Sequence, residues 1–413
     1  PKNAKELNLF AVDSMPIEDA EISFASRDYL ENQSEWNGEM GISLLSAQDD
    51  NNTIQTLQEG IMPDAMPQLY QVDDDLVMLF LQDNGEETIG NHTRLVYSVY
   101  DGMTWSLPEP VWNTEGADFY FNGSVDSNNL HIAWQKSKNI LDSDDPNKLL
   151  DDVAKSWEIC YAVWNADSKS FESQQYLTNN SILDVSPTIV SKGDSAEILW
   201  VSNDENSILE TSGDYKINSV KVNNRIAERQ NELVSTKDSI SEISASYQND
   251  KLDFIYTLTD KDGNVSLYYY NENNSTEIET NYIPAGLTFA DSTFSWHGDG
   301  QIYTFDTVSK SVRSINADNI TNASSSYKLV CNNDKKAIIW KEANNTSSVL
   351  KASIYENGIW CKPILLLDNL EDNISYMDVV MLNSGDFVII MNTVKLNESG
   401  EAETTALKYA VVS

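Results

Sequence analysis

A repeat constrains the fold of this chain more than any other feature. Seven times, a polar turn precedes a short β-type run that ends in an aromatic or another large apolar residue. These runs lie at residues 76–80, 130–134, 196–200, 252–256, 302–305, 337–340 and 387–391. Successive runs are roughly 35 to 65 residues apart, which is the length of one four-stranded blade of a β-propeller. The repeat therefore predicts small sheets that bury their faces against neighbouring sheets.

Further strand signals surround each run. A first strand precedes the polar turn, as at 67–70 and 187–190, and a third strand follows it, as at 94–100, 157–164 and 265–270. Alternating apolar residues and many β-branched or aromatic residues support these assignments. Asp101-Gly102 and Asn357-Gly358 supply the positive φ angles of a tight hairpin between third and fourth strands. The fold class is predicted to be all-β, with residues 1–413 forming a single propeller of four-stranded antiparallel blades.

The number of blades depends on how the N-terminal region closes the last one. The seventh repeat supplies strands near 377–381, 387–391 and 406–412, so its fourth strand must come from residues 1–62, before the seven repeats of 63–413. Closing a propeller by pairing N- and C-terminal strands removes open sheet edges. If 7–12 is the closing strand, the remaining N-terminal runs make an eighth blade. If 53–59 closes the sheet, the propeller has seven blades, and eight is slightly favoured.

Charge and hydropathy narrow the classes of partner. The net charge of −38 argues against nucleic acid, because binding to a phosphate backbone depends on Lys and Arg. The same charge disfavours an anionic membrane surface. No apolar run approaches the roughly 18 residues of a membrane-spanning helix, so membrane insertion is not expected. The acidic surface favours a well-solvated protein, expected to be a monomer, and it attracts cations such as calcium.

Two patterns resemble known propellers. Residues 98–105 resemble a degenerate Asp-box, the hairpin of sialidase-like propellers, with Asp101 and Gly102 adjacent. A wider pattern places an Asp before a first strand that begins with Pro, as in Asp64 to Pro67 and Asp184 to Pro187. This pattern resembles propeller regions in large exported proteins of Gram-positive bacteria. The resemblance implies the fold and a secreted or cell-surface location, but it carries no activity.

Catalytic signals are weak. Sialidases bind the substrate carboxylate with three arginines, whereas this chain has only five arginines in all, and two of them lie close together. Other glycosidases need two carboxylates at a suitable separation. Asp64, Asp118 and Asp184 precede first strands and are the catalytic candidates. The competing interpretation, which we favour, is that each accepts backbone N–H bonds in its connecting turn.

No metal or cofactor is expected, although calcium stays open. The three histidines are scattered without the spacing of a zinc site. Residues 260–264, Asp-Lys-Asp-Gly-Asn, superficially suggest calcium ligands, but they lack the spacing and closing Glu of an EF-hand. A hairpin loop explains them better.

Two segments are candidate binding surfaces. The insertion at 137–156 is the longest and contains Asp142, Asp144 and Asp145, with a helix expected around 147–154. The second segment contains the aromatic residues Trp112, Phe119, Tyr120 and Phe121. These rings either stack on sugars or a protein partner, or pack in the core between blades.

The sequence favours a non-catalytic, extracellular binding or scaffold propeller that recognises a glycan or a surface protein. The alternative is a carbohydrate-active hydrolase with carboxylates at the mouth of the propeller channel. A spacer domain without a ligand of its own is a third interpretation. Because propellers carry many unrelated activities, the fold alone does not decide among them.

Overall fold

A computed structural model describes most of the chain. The described residues are 6–7, 24–25, 34–37, 54–83, 85, 91–126, 128–138, 152–206, 213–248, 251–290, 293–315, 327–332, 335–343, 348–370, 372–397 and 402–412. Nearly all of them lie in antiparallel β-strands and tight turns. None of the helices in this part of the chain has the length and apolar character needed to cross a membrane.

The first strands in chain order include the one that later closes the last sheet. They are β1 (Glu6–Leu7), β2 (Phe24–Ala25) and β3 (Ile54–Glu59). β1 pairs with β2, and β3 pairs elsewhere. The first complete sheet has the order β4 (Gln68–Val72), β5 (Asp75–Asp83), β6 (Thr93–Tyr100), β7 (Glu109–Pro110).

The chain divides into two compact units. Unit 1 contains Pro1–Ser26, Leu81–Tyr97 and Glu109–Thr280, and unit 2 contains Arg27–Phe80, Ser98–Pro108 and Asn281–Ser413. The strands of the β4–β7 sheet are shared between them. That the whole chain is one domain stays a prediction.

Unit 1 contains three further sheets, each an up-and-down meander. The first has β8 (Asp118–Asp126), β9 (Asn129–Ser137), β10 (Trp157–Asn165) and β11 (Ser170–Tyr176). The second has β12 (Leu183–Lys192), β13 (Ser195–Asn203), β14 (Tyr215–Asn223), β15 (Ile226–Ala227) and β16 (Asn231–Thr236). The third has β17 (Ser239–Gln248), β18 (Lys251–Thr259), β19 (Val265–Asn271) and β20 (Asn274–Ile278). Both β15 and β16 pair with β14, so the fourth strand of the second sheet is interrupted.

Unit 2 contains the last three sheets. The first has β21 (Ala285–Ala290), β22 (Thr293–Gly298), β23 (Gln301–Asp306) and β24 (Ser311–Ser314). The second has β25 (Tyr327–Asn332), β26 (Lys335–Ala343), β27 (Ser348–Glu356), β28 (Ile359–Trp360) and β29 (Ile364–Leu370), with β28 and β29 both paired to β27. The third has β30 (Asn373–Met381), β31 (Phe387–Leu396) and β32 (Ala402–Val412), followed by β3.

The predicted fold class is confirmed. The described residues form seven antiparallel sheets with four strand positions each, which is the architecture of a seven-bladed β-propeller. β3 fills the fourth position of the last sheet, with Gln55 opposite Tyr409. The seven-blade alternative is therefore the one found. The slight preference for eight is not supported, because the closing position that it gave to residues 7–12 is taken by Ile54–Glu59.

Four second strands each carry a tryptophan that is buried in the core. Trp134, Trp200, Trp296 and Trp340 lie in β9, β13, β22 and β26, and all four are fully buried. Burying a large aromatic side chain contributes about 1.5–3 kcal/mol to folding. In unit 1, Trp200 packs with Ile159 and Tyr161 of the neighbouring sheet, which covers the face that one sheet cannot bury alone.

One repeat lies on a different strand from the one that the pattern predicts. The run at 302–305 lies in β23, the third strand of its sheet, and not in a second strand. The second strand is β22, whose large buried residue is Trp296. Two residues separate β21 from β22, and two separate β22 from β23, so the spacing along the chain fits either position.

The predicted hairpin at residues 100–105 is present. Asp101 Oδ1 accepts hydrogen bonds of 2.9 Å from the backbone N–H groups of Met103 and Thr104, and Gly102 has a φ of 96°. Trp105 is buried against Tyr100 and Tyr409. The carboxylate thus holds the turn by satisfying its backbone donors.

Candidate functional site

The first strands of several sheets carry a bulge close to the catalytic candidates. The register of β8 shifts between Asp118 and Phe121, and that of β12 shifts between Val185 and Thr188. A bulge bends the strand and redirects the side chains on either side of it. Bulges are common beside functional sites, so the contacts of Asp118 and Asp184 decide how they should be interpreted.

Asp118 is a buried hydrogen-bond acceptor. Its Oδ2 accepts from the backbone N–H of Leu95 at 3.0 Å, and its Oδ1 accepts from Trp134 Nε1 at 3.0 Å and Lys136 Nζ at 2.9 Å. The side chains of Asp118 and Lys136 are 1% and 0% exposed. The predicted backbone bond exists, but its donor lies in β6 of the preceding sheet and not in the connecting turn. Both carboxylate oxygens are therefore occupied by protein donors.

Asp184 repeats part of this arrangement one sheet later. Trp200 Nε1 donates to Asp184 Oδ1 at 2.9 Å, and Asn180 Nδ2 donates to Oδ2 at 2.9 Å. In both sheets the Asp and its Trp are 16 residues apart. Asp184 is 2% exposed, and burial raises its pKa to about 7, although the bonds from Asn180 and Trp200 oppose the shift.

Glu158 joins this network and was not singled out from the sequence. Its Oε2 accepts from Thr178 Oγ1 at 2.6 Å, and its Oε1 accepts from the backbone N–H of Asn180 at 2.8 Å and from the ammonium of Lys138. Asn180 thus links Glu158 to Asp184 across the connection between β11 and β12. Buried polar groups that are fully hydrogen-bonded fix a single local structure. Glu158 lies inside β10, and no sequence motif around it marks it as a functional residue.

The remaining acidic candidates are Asp64 and the three residues of the 137–156 insertion. Asp64 is half-buried in the turn before β4. Asp142, Asp144 and Asp145 lie outside the described residues. Of the helix expected around 147–154, residues 152–154 are helical, and 147–151 lie outside the described residues.

Two of the four candidate aromatic side chains are in the core. Phe119 is buried, lies 5.0 Å from Trp157 between ring centroids, and packs with Val153 and Leu183. Phe121 is fully buried. These two rings therefore follow the core-packing interpretation and are not placed to stack on a ligand. Tyr120 is half-buried within the β8 bulge.

Trp112 forms an aromatic pair with Tyr176, a residue that the sequence did not single out. Their ring centroids are 5.1 Å apart at an interplanar angle of 53°, and Trp112 also meets Trp134 edge-on at 6.1 Å. Trp112 is half-buried, and Tyr176 is 37% exposed. Trp134 contacts the pair through Trp112, and Trp134 Nε1 donates to Asp118 Oδ1. The buried network thus supports a partly open aromatic surface in unit 1.

The residues considered for metal binding have other roles in the described structure. Asp260 accepts backbone N–H bonds from Asp262 at 2.8 Å and Asn264 at 2.9 Å, which closes the hairpin between β18 and β19. The side-chain amide of Asn264 also donates to Asp260 Oδ2 at 2.9 Å, and this bond, followed by the backbone bonds, lowers the pKa of Asp260. His131 Nδ1 is 2.6 Å from Tyr161 Oη, and Nε2 is 3.0 Å from the carbonyl oxygen of Gly193. Among the described residues, no group of three or more His, Cys, Asp or Glu side chains is placed to hold a metal ion.

Comparison with known proteins gives similarity of structure only. No protein-family profile and no curated protein sequence matches the chain. A sialidase of Trypanosoma rangeli in complex with the inhibitor DANA gives a TM-score of 0.49 at 13% identity, over 92% of this chain and 59% of that chain. The same sialidase with sialic acid gives 0.49 at 12% identity, over 92% and 57%. BBS1N in complex with ARL6DN, soaked with lead, gives 0.47 at 9% identity, over 84% and 92%.

This chain spans less than two thirds of the length of those sialidase chains. The similarities assign no activity, substrate or partner to it.

Proposed function

We propose that this chain is a non-catalytic binding propeller that recognises a glycan or a protein partner through the aromatic pair Trp112 and Tyr176. The observation that carries the proposal is that this pair is partly exposed and is supported by Trp134, which belongs to the hydrogen-bonded network of Asp118. Trp and Tyr offer large, stiff contact surfaces with a polar tip, and they are enriched at the energetic centres of interfaces. Either a sugar ring or a protein side chain can stack on such a surface.

The state of the carboxylates supports binding over hydrolysis. A general acid or base must come within hydrogen-bond reach of its substrate. Asp118 and Asp184 are almost completely buried, and protein donors occupy both oxygens of each. A role in holding the strands together accounts for these contacts without any substrate.

The alternative, a carbohydrate-active hydrolase, has one observation in its favour. Burial raises the pKa of Asp184 to about 7, the range in which a carboxylic acid can serve as general acid near neutral pH. Nearby Glu158 contributes to the shift. Turnover of a chromogenic glycoside that is abolished by Asp184→Asn or Asp118→Asn, in variants that remain folded, would establish this alternative.

The binding proposal is tested on the aromatic pair with a matched control. A glycan array and a panel of purified surface proteins identify a ligand for the unaltered chain, and Trp112→Ala and Tyr176→Ala are then measured against it. Loss of a stacking residue at the centre of an interface weakens binding by about tenfold or more. Trp360→Ala is the control, since Trp360 pairs with Tyr355 at 5.1 Å and 59° in another sheet.

A ligand bound equally well by the Trp112, Tyr176 and Trp360 variants would contradict the assignment of the surface. The absence of any ligand in both panels would contradict the binding function itself.

Location and assembly belong to the same proposal. Export to the cell surface or the medium is supported by the resemblance of the Asp64–Pro67 and Asp184–Pro187 pattern to exported propellers. The strongly acidic composition supports a soluble monomer. Cell fractionation of the native protein and its mass in solution check these two points.

A further inference from the structure

A cleft with a volume of about 300 Å³ lies in unit 1, where the sheet of β12, β13 and β14 meets β17 of the next sheet. We call it the Glu197 cleft, and its polar lining consists of Lys192, Ser195, Glu197, Lys221, Asn223 and Tyr247. The volume is at the lower end of the range for small-molecule sites. Neither Trp112 nor Tyr176 lines the cleft, so a ligand bound in it is additional to the proposed function.

Strand pairing places four of these polar side chains side by side. Ser195 and Glu197 are two residues apart on β13, so both point to the same face of the sheet. On β14, Asn223 lies directly opposite Ser195. Lys221 lies directly opposite Glu197. Two residues of a strand span about 6.6 Å, which is comparable with the separation of hydroxyl groups on opposite sides of a six-membered sugar ring.

Glu197 has one carboxylate oxygen that accepts a hydrogen bond and one that does not. Its side chain is 5% exposed, and Oε1 accepts from Ser219 Oγ at 3.0 Å. Oε2 has no hydrogen-bond partner within the described part of the chain, and Lys221 Nζ lies 3.7 Å from it, beyond hydrogen-bond distance. Burial raises the pKa of Glu197 although Lys221 opposes the shift, so the ammonium compensates the buried carboxylate only in part. A donor entering the cleft would therefore be bound at Oε2.

The charges around the cleft disfavour an ionic ligand of either sign. Glu228 acts electrostatically on both Glu197 and Lys221. Lys192 has a further interaction of its own, so it is not a free cation for a ligand. An anion would therefore meet two carboxylates and a single ammonium, that of Lys221, which is already paired with Glu197. A cation at Oε2 would lie close to Lys221 and would be repelled by it, whereas a hydroxyl donates without adding charge.

The remaining polar groups favour a ligand with several hydroxyl groups. Asn223 Nδ2 donates to the carboxylate of Glu228, which leaves Asn223 Oδ1 as an acceptor. The hydroxyl of Ser195 can both donate and accept. Tyr247 is half-buried and adds an aromatic ring on which the C–H groups of a sugar can pack. Lys221 Nζ is 5.9 Å from the ring centroid, near the limit of a cation–π contact, so the ammonium does not cover the ring closely.

We propose that the Glu197 cleft binds a neutral monosaccharide in its pyranose form. One hydroxyl of the sugar donates to Glu197 Oε2, and a second hydroxyl donates to Asn223 Oδ1. The C–H groups of the sugar ring pack against Tyr247. No covalent step is involved.

The probes are glucose and galactose, each compared with its uronate and its amino sugar. The uronate adds one negative charge to the sugar, and the amino sugar adds one positive charge. Titration calorimetry and ligand-observed NMR on the whole chain are expected to give a Kd of about 1 mM for the better of the two neutral sugars, a usual value for a ligand of this size. Its two charged relatives are expected to bind about tenfold more weakly or worse.

Variants assign the binding to the cleft. Glu197→Gln and Tyr247→Ala are each expected to weaken binding of the neutral sugar by about tenfold, because they remove the charged acceptor and the packing surface. Tyr268→Ala is the control, since Tyr268 is a partly buried tyrosine packed against the same apolar cluster as Tyr247 but does not line the cleft. Asn223 is only half-buried, so Asn223→Ala keeps the test open if Glu197→Gln does not fold.

Four outcomes would overturn the proposal. One is that neither neutral sugar binds the unaltered chain at concentrations well above the expected Kd. Another is equal affinity in the Glu197, Tyr247, Asn223 and Tyr268 variants. The third is that a uronate or an amino sugar binds as tightly as its neutral parent. The fourth is that Trp112→Ala abolishes sugar binding while the cleft variants keep it, which would move the sugar to the aromatic pair and support the proposed function alone.

Discussion

Replacing Asp118 by Asn tests the buried network most directly. The substitution keeps the shape of the side chain and an oxygen for Trp134, but it removes the negative charge beside Lys136. The Lys136 ammonium is 0% exposed and lies 2.9 Å from the carboxylate, so it would be left as a charge in the interior. Breaking a buried pair by removing one partner costs about 3–5 kcal/mol. We expect Asp118→Asn to lower the free energy of unfolding by this amount.

An exposed ion pair of nearly the same length provides the comparison. Lys395 Nζ and Glu403 Oε2 are 2.8 Å apart, and both side chains are about half exposed. Exposed pairs of this kind contribute about 0–1 kcal/mol, so Glu403→Gln is expected to change stability very little. Urea unfolding followed by tryptophan fluorescence measures both variants under the same conditions.

A second substitution separates the effect of the unpaired Lys136 ammonium from the other effects of Asp118→Asn. Adding Lys136→Met to Asp118→Asn removes the ammonium and leaves an apolar side chain of similar length. Most of the lost stability is expected to return, because replacing both members of a buried pair by groups without charge is often neutral. The reasoning is refuted if Asp118→Asn costs no more than Glu403→Gln, or if the double variant is less stable than Asp118→Asn alone.

Two more predictions concern the same part of unit 1. The pKa of Asp184 is raised to about 7 in the folded chain, so the folded state holds this proton more tightly than the unfolded state. The stability it contributes is present below pH about 4 and is lost as the pH rises through about 7, by roughly 4 kcal/mol in total. Urea unfolding should show that the free energy of unfolding falls less between pH 5 and pH 8 for Asp184→Asn than for the unaltered chain. For Gly116→Ala, a Cβ would lie 1.8 Å from the carbonyl oxygen of Ser137, whereas at Gly102, with a similar φ, it would meet nothing within 4 Å. The unfolding temperature should therefore fall much more for Gly116→Ala than for Gly102→Ala, and an equal fall in both variants would contradict this packing.

The sequence predicted the parts of the fold that depend on local patterns. Polar turns followed by strands with a large apolar residue recur about once per blade, so the seven repeats could be recognised from the chain alone. The closing strand was harder, because 7–12 and 53–59 have equally good strand patterns. Only the long-range pairing of β3 with β32 separates them.

The site was predicted less well for a related physical reason. Asp118 and Asp184 stood out by their position before first strands, but all the donors to Asp118 and one of the two donors to Asp184 come from other strands. Leu95 lies in the preceding sheet, and no local pattern joins it to Asp118. Glu158 and Glu197 were missed because an acidic residue inside a β-strand has no motif around it, and its burial depends on the neighbouring sheets. The separation of 16 residues between each Asp and its Trp is a signal in the sequence that could have joined these two residues.

The pairing of β3 with β32 also has a consequence for how the chain is made. Tyr409 Oη bonds to the side chain of Gln55 across 354 residues of sequence. Gln55 must therefore leave the ribosome 354 residues before the residue that it bonds to in the partner strand. Contacts between such distant segments slow folding and leave strand edges open in the meantime. Cells that produce this protein at high levels would need to protect nascent chains from aggregation during that interval.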